Sequence, residues 1–572
     1  MRAAAEDPPQ EDNDESRRLA FCIEAKRRGD AVSYFRFLEQ LGSSQGELLS
    51  AKIQAVTKNA AKKHPELEEL ILHCLDFDWE ANATSHVALN AFTNFVLTVT
   101  SLHVNYVEPV IASLTKNIVC KDYSQVTQLE EQAVKEEVDA SGTKIIPQSG
   151  SLLSRILQLL QLVVDGYPTS SRLVYNSIHS NAPHKLRSLA DQRIFIYGAL
   201  LLSKTFRDIR QAVVFLVVEK LIEVDAEASQ ILKKEKYSPV SDSMAEEELE
   251  TKEIADMVNK MDKLMEQVLL FIRQLDNSSE VQSFRSYFMN AFIRLVLPLL
   301  HLRFTPFLFC ILYGSSMEET QELLWRLWSI FTDGKNYEET RIFSVKYCSF
   351  MLSSLRVVRY EMVVRWLSMA VSWLHEYLEL HENNCCHIFQ EEEEDNDMLV
   401  SGSWKSEGSE WLTEDNMLVD PLNPSKRLNV YAMDCKHRIF YHTLDAVFYV
   451  MLSRGNSLLS FEYNRGKDSL QRGNLVEKFR SFRLARILRS SLCPLLFLPR
   501  EHSRKFIYWA FSLRLFDCRD LLEMTSDETM SDIFIEKESY VSMIPLDMLE
   551  SCSKWSLEIL RKPDDLYFSE DE

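Results

Sequence analysis

Apolar residues recur along this chain at the three- and four-residue spacing of helices that pack on one face. Over 152–164, Leu153, Ile156, Leu157, Leu160, Val163 and Val164 form one stripe, which stops at Asp165-Gly166-Tyr167-Pro168, where glycine and proline together end a helix. Over 363–378 the stripe is Val363, Trp366, Leu367, Ala370, Leu374 and Tyr377. Residues 212–228 (AVVFLVVEKLIEVDAEA) are apolar nearly all round except at Glu219, Lys220, Glu223 and Asp225, which predicts a helix covered on most sides. The longest apolar stretch, Tyr287 to Tyr313, is divided by Arg294, Pro298, His301 and Arg303. Its runs are shorter than the ~18–20 apolar residues of a membrane span, so it reads as two buried helices and a turn.

Paired helices with short Pro-, Asn- or Ser-containing connections recur from about Arg17 to Trp373 without a strict sequence period. The expected fold is all-α, a HEAT-like helical-repeat solenoid of degenerate units of ~40–47 residues. Such a stack escapes the size limit of a single core because each unit packs only on its neighbours. Acidic and polar segments interrupt it, and dense charge with little hydrophobicity does not offset the entropy of ordering. The expected organisation is an acidic flexible N-terminus over 1–16 and helical repeats over 17–381 with mobile acidic loops at about 125–151 and 233–252. An acidic disordered loop over 382–429, C-terminal helical repeats over 430–560 and an acidic tail over 561–572 follow.

Composition narrows the chemistry. Fourteen glycines in 572 residues, none in a GxGxxG or GxxxxGK loop, leave no phosphate-cradling turn for a nucleotide enzyme. The net charge of −21 repels nucleic acid and favours basic partners, so little direct DNA affinity is expected. Eleven cysteines without CxxC pairs suggest reduced thiols, and the N-terminus MRAAAEDPPQEDNDES is acidic where a secretory signal is apolar. The His381, Cys385, Cys386 and His387 cluster lacks a second ligand pair, and His437 and His442 lack the Glu of HExxH, so neither predicts a metal. No nucleophile, acid–base set or cofactor motif emerges, and no catalytic residue, metal or cofactor is expected.

One stretch opposes the global charge. KFRSFRLARILR over 478–489, placed on a helix, puts Lys478, Arg483, Arg486 and Arg489 on one arc with Phe479 and Phe482 between them, and Leu484, Ile487 and Leu488 opposite. This is either a solvated basic face or a docking face in which exposed aromatics and arginines act together. The basic clusters KRR (26–28) and KNAAKK (58–63) are ordinary helix faces that would also serve nuclear import.

Several segments, in order, resemble the RNA polymerase I-specific transcription initiation factor family (TIF-IA). FDWEANATSHVALNAFTNFVLTVTSLHVNYVEPVIASL (77–114) is similar to an early repeat in which a short-loop tryptophan precedes a helix pair. LSRILQLLQLVVDGYPTSSRLVYNSI (153–178) resembles the next repeat, and AVVFLVVEKLIEVDAEAS (212–229) a helix of the EKLLKLDVNAS kind. MDKLMEQVLLFI (261–272), FRSYFMNAFIRLVLPLLHLRFTPFLFCILYG (284–314), LLWRLW (323–328) and VVRWLSMAVSWLHEYL (363–378) resemble the central repeats. IFYHTLDAVFYVML (439–452) and RILRSSLCPLLFLP (486–499) resemble the C-terminal block. Where the family ends its folded part with an FFPFDP-like motif, this chain has SMIPLDMLESCSKW (542–555).

The resemblance implies a non-enzymatic, nuclear and nucleolar factor. It would bind RNA polymerase I and join it to the promoter-bound selectivity complex that contains the TATA-binding protein, with a homodimer among the states of the free protein. It also implies control by phosphorylation, at hydroxyls of the turn that Tyr167-Pro168-Thr169-Ser170-Ser171 resembles, so Thr169, Ser170 and Ser171 are the candidate regulatory residues. Because the turn breaks a helix, its hydroxyls are expected to be exposed. The rival readings are a generic HEAT-repeat scaffold or nuclear-transport adaptor and, further off, an enzyme with a dispersed site.

Overall fold

The computed structural model describes residues 10–61, 65–121, 152–237, 244–275, 278–299, 302–388, 436–455 and 470–521, with 549, 551–552, 554 and 559–560. Among them the secondary structure is helical, and the one extended pairing is an isolated bridge between Leu355 and Leu560. The chain divides into two compact units, residues 1–224 with 260–291, and residues 225–259 with 292–572.

In the first unit α1 (Gln10–Arg27) lies against α2 (Val32–Ser43) and α3 (Gly46–Asn59), and α3 against α4 (Pro65–Cys74) and α5 (His86–Leu102). Next come α6 (Val107–Cys120), α7 (Leu152–Gly166), α8 (Ser171–Ser180) and α9 (Leu189–Thr205), with α6 touching all three that follow it. Trp79, in the loop before α5, is 2% exposed and sets its edge against Phe77 and Phe92, whose rings stack at 4.4 Å. The tryptophan thus closes an irregular loop onto α5 by burying a large aromatic surface. Where α9 crosses α6 the contact is backbone to backbone: a Cβ on Gly198 would lie 2.5 Å from the carbonyl oxygen of Ile118.

Helices α10 (Arg210–Tyr237) and α11 (Met244–Arg273) contribute residues to both units, and α12 (Ser278–Ala291) closes the first. The apolar 212–228 run is buried as its pattern requires, and Asp225 is buried with it. In the second unit the Asp225 carboxylate accepts hydrogen bonds from the backbone N–H groups of Arg303, Phe304 and Thr305 at 3.0, 3.0 and 2.6 Å, and from the Ser229 hydroxyl at 3.2 Å. These amides open α13 (Thr305–Gly314), whose every residue is buried. A buried helix start has no water for its free N–H groups, and here a distant carboxylate supplies the acceptor.

The second unit continues with a π-helical turn (Phe292–Val296), α14 (Met317–Thr332), α15 (Glu338–Ser354) and α16 (Tyr360–Ile388). It then runs through α17 (436–455), α18 (Leu470–Ser481), α19 (Leu484–Leu488) and α20 (Arg500–Ser512). Phe448 of α17 stacks on Phe506 of α20 at 3.8 Å with ring planes 8° apart, and α13 packs on α14, which packs on α15. Val363, Trp366, Leu367, Ala370 and Leu374 are buried as expected, and Tyr377 is half-buried.

Three expected boundaries differ. The N-terminal segment predicted flexible to residue 16 is helical from Gln10, the 233–252 segment is helical to Tyr237 and again from Met244, and α16 runs to Ile388, past the predicted end of the repeats at 381. Glu- and Lys-rich sequence is poor at making a core, yet it has high helix propensity and extends a helix already anchored by its neighbours. Residues 122–151, 238–243, 389–435 and 561–572, where the remaining loop and tail expectations fall, lie outside the described residues.

Leu367 is fully buried. Leu367→Ala is therefore expected to lower unfolding free energy by about 2–5 kcal/mol in urea denaturation, and an unchanged midpoint would refute its place in the core. Gly198→Ala, which drives a methyl group into the Ile118 carbonyl, is expected to cost about 1–3 kcal/mol by the same measurement despite the higher helix propensity of alanine.

Candidate docking surfaces

The Tyr167–Ser171 turn is a 3₁₀ helix over Pro168–Ser170 with proline in its first position. Tyr167 anchors it by donating its hydroxyl hydrogen to the Thr100 carbonyl at 2.7 Å, beside the α5–α6 turn in which Leu102 and Val104 are exposed. The three candidate hydroxyls are not equivalent. Thr169 is exposed and Ser171 half-buried, but Ser170 is only 4% exposed, its hydroxyl donating to the Tyr167 carbonyl at 2.6 Å. The expectation of exposed hydroxyls therefore fails at Ser170: the turn's closure, with Ser170 N–H also on Tyr167 O at 2.8 Å, folds that side chain inward.

The basic arc over 478–489 is not one helix face. Arg483 takes a left-handed backbone (φ 49°), which breaks α18 from α19, and Phe479 and Phe482 are buried. Lys478, Arg483, Arg486 and Arg489 are all exposed, on two helices and the break between them. Lys478 Nζ lies 5.7 Å from the Phe482 ring centre, and Arg486 lies 3.5 Å from Glu379. Arg489 forks onto both Asp520 oxygens at 2.9 and 2.8 Å and donates to the Asp517 carbonyl. The hydrogen bonds that Arg489 donates to Asp520 hold it above its usual pKa against the opposing effect of burial. The helix fails where twelve residues of uninterrupted helical periodicity carry no glycine or proline to announce a break.

A face that the sequence reading passed over lies on α20. Arg504, Tyr508 and Phe511 follow one another at helical spacing and are exposed, with the Arg504 guanidinium 5.8 Å from the Tyr508 ring centre. Its signal is present in REHSRKFIYWAFS, but Phe506 and Trp509 in the same run are buried, and aromatic residues are read as core by default.

Two histidine sites of opposite character hold α17. Tyr377 donates its hydroxyl to or accepts from His437 Nδ1 at 3.1 Å, according to the tautomer, and the His381 ring packs on Tyr377 at 4.2 Å and faces His437 at 5.5 Å. Burial, His381 and Lys436 hold His437 down to about 4. On the other side His502 Nδ1 lies 2.9 Å from Asp445 Oδ1; burial opposes its charge, but the carboxylate outweighs it and raises the pKa. Among the described residues no group of three or more His, Cys, Asp or Glu is placed to hold a metal ion, and the side chains of Cys385, Cys386 and His387 lie outside them. Among the described residues no helix is long and apolar enough to cross a membrane.

These features define an all-α helical-repeat protein whose candidate contacts are exposed turns and helix faces. The chain belongs to the RNA polymerase I specific transcription initiation factor RRN3 family, whose model matches residues 3–236 and 229–554. Among solved structures it is similar to the crystal structure of RNA polymerase I transcription initiation factor Rrn3, with a TM-score of 0.67 and 14% identity over 97% of this chain and 99% of that one. At that identity the likeness is one of fold. Sequence comparison with curated proteins finds no match.

The histidine sites make opposite contributions to stability with pH. The His502 contribution is full below its ordinary value of 6.5 and is lost as pH rises through its raised folded value, while the His437 contribution is full above 6.5 and is lost as pH falls towards about 4. In thermal denaturation, His502→Gln is expected to destabilise more at pH 6 than at pH 8.5, and His437→Gln to flatten the fall in melting temperature between pH 7 and pH 5. Parallel pH profiles for either variant and the unmodified chain would exclude the corresponding linkage.

Proposed function

We propose that this RNA polymerase I-specific transcription initiation factor binds the polymerase and joins it to the promoter-bound selectivity complex, acting in the nucleus and nucleolus through HEAT-like repeats. The observation that carries this reading is the family match, which runs through nearly the whole chain. A bridging factor needs separate surfaces for two partners, and the Thr169 turn of the first unit and the Arg504–Tyr508–Phe511 face of the second offer chemically different ones. Affinity capture of the tagged full chain from nuclear extract tests it by mass spectrometry. Polymerase I and selectivity-complex subunits are expected together, whereas a nuclear-transport GTPase without polymerase would favour the transport adaptor.

Control by phosphorylation belongs to the same proposal and falls on Thr169, the exposed hydroxyl of its turn. A phosphoryl group adds roughly −1.5 to −2 charges, and on an exposed turn it would have to be desolvated for a closely packed partner to bind. Thr169→Asp is expected to reduce polymerase I recovery and Thr169→Ala to preserve it, with both variants melting as the unmodified chain does. Equal recovery over a salt series would remove Thr169 from regulation. Ser170 is unsuited to such a test, because its buried hydroxyl holds the turn.

A further inference from the structure

We infer that the first unit carries a binding site for a phosphate-type oxyanion at the junction of α1, α2 and α3. An open cavity of about 420 Å³ lies there, lined by Arg18, Ser43, Ser44, Gln45, Leu48 and Lys52 among others. Lys52 is 2% exposed and donates to the Gln40 carbonyl at 3.0 Å and to the Ser44 hydroxyl oxygen at 2.7 Å. An ammonium carries three hydrogens, so these two bonds leave one for a ligand in the cavity it lines. Side chains of a helix lean towards its N-terminus, which brings this charge back over the first turn of α3.

Two further sources of positive potential meet it. Arg18 is half-exposed, and its Nη1 bond to Glu15 at 3.0 Å engages only part of a five-hydrogen guanidinium. The N-cap of α3, Gln45, is extended and makes no side-chain cap, while the Gly46 N–H goes to Asn82 Oδ1 at 3.1 Å. The next amides, of Glu47 and Leu48, therefore start the helix without a side-chain acceptor, the arrangement that favours an anion. The hydroxyl hydrogens of Ser43 and Ser44 are committed to the carbonyls of Glu39 and Gln40. The donors left for a ligand are Lys52, Arg18, the side-chain amides of Gln40 and Gln45, and the backbone. Among the acids nearby, Glu15 gives Oε1 to Arg18 while its buried Oε2 has no hydrogen-bond partner and its charge also reaches Lys52, so a ligand must outcompete it for those two cations, and Glu47 is exposed in the first turn.

A multivalent oxyanion, able to accept from several directions at once, suits this set better than a monatomic anion. The test titrates the full chain by calorimetry with inorganic phosphate, and separately with a glycine-flanked phosphoserine peptide, at constant ionic strength in sodium chloride. Saturable phosphate binding is expected, weakened about tenfold or more by Arg18→Gln, a loss of at least about 1.4 kcal/mol. Leu48→Glu sets a carboxylate at the cavity mouth, where it complements the dipole of α3. It is expected to abolish binding while the melting temperature holds or rises, an outcome that loss of structure does not produce. Tighter binding of the peptide would assign the site to a phosphorylated protein segment, and equal or weaker binding to the free anion. Absence of phosphate binding above the chloride background, or unchanged affinity in both variants, would overturn the inference.

Discussion

A helix that ends inside a protein leaves its last carbonyls without partners, and at four helix ends among the described residues of this chain cationic side chains supply the partners. Glycine in the left-handed conformation is the usual way to close a helix, and with fourteen glycines the chain rarely has one to use. The helices instead leave through extended residues such as Ser44, His103, Phe206, Asp333 and Leu355. Lys52 takes the Gln40 carbonyl at the end of α2, Arg210 those of Ser203 and Lys204 at the end of α9, and Arg341 that of Phe331 near the end of α14. Arg454, 3% exposed, binds the carbonyls of Leu352, Leu355 and Val358 where α15 stops. A cation against the negative end of a helix gains from the macrodipole as well as from the hydrogen bond.

This device sets terms for the fold. Burial lowers the pKa of Lys52 and Arg341, the measure of what it costs to hold their charge away from water, and the carbonyls offset that cost together with Glu15 near Lys52 and Glu338 and Asp333 near Arg341. Each such side chain therefore fixes where one helix stops relative to the helix that carries the cation. Irregular turns that would otherwise be loosely specified acquire a single geometry within each unit. The Thr169 turn is held differently, by the Tyr167 hydroxyl on the Thr100 carbonyl.

What was legible in the sequence is what depends on period. The stripe of Val363, Trp366, Leu367, Ala370 and Leu374 could be read because burial of a helix face repeats every turn, and the end of α7 because glycine and proline act locally. Asp225 could not be read as buried, because the amides it accepts from lie about eighty residues further along the chain. The break at Arg483 was hidden for a related reason, being imposed on a residue whose own preference does not demand it, whereas the inward Ser170 hydroxyl follows from a local bond to Tyr167 that a helix-breaking pattern does not reveal. Acidic stretches misled in the other direction, since charge that argues against a core does not argue against a helix.

The Asp225 carboxylate has a consequence for the order in which the second unit assembles. Closing a contact across eighty residues is entropically expensive and must be repaid by the burial of α13, whose first turn is unsatisfied until α10 is in place. During synthesis the acceptor emerges before the amides it serves, so α13 meets a template already made. A fragment cut after Asp225 would have to bury that helix start without its partner, and a rational dissection of the chain should keep α10 with the helices that follow.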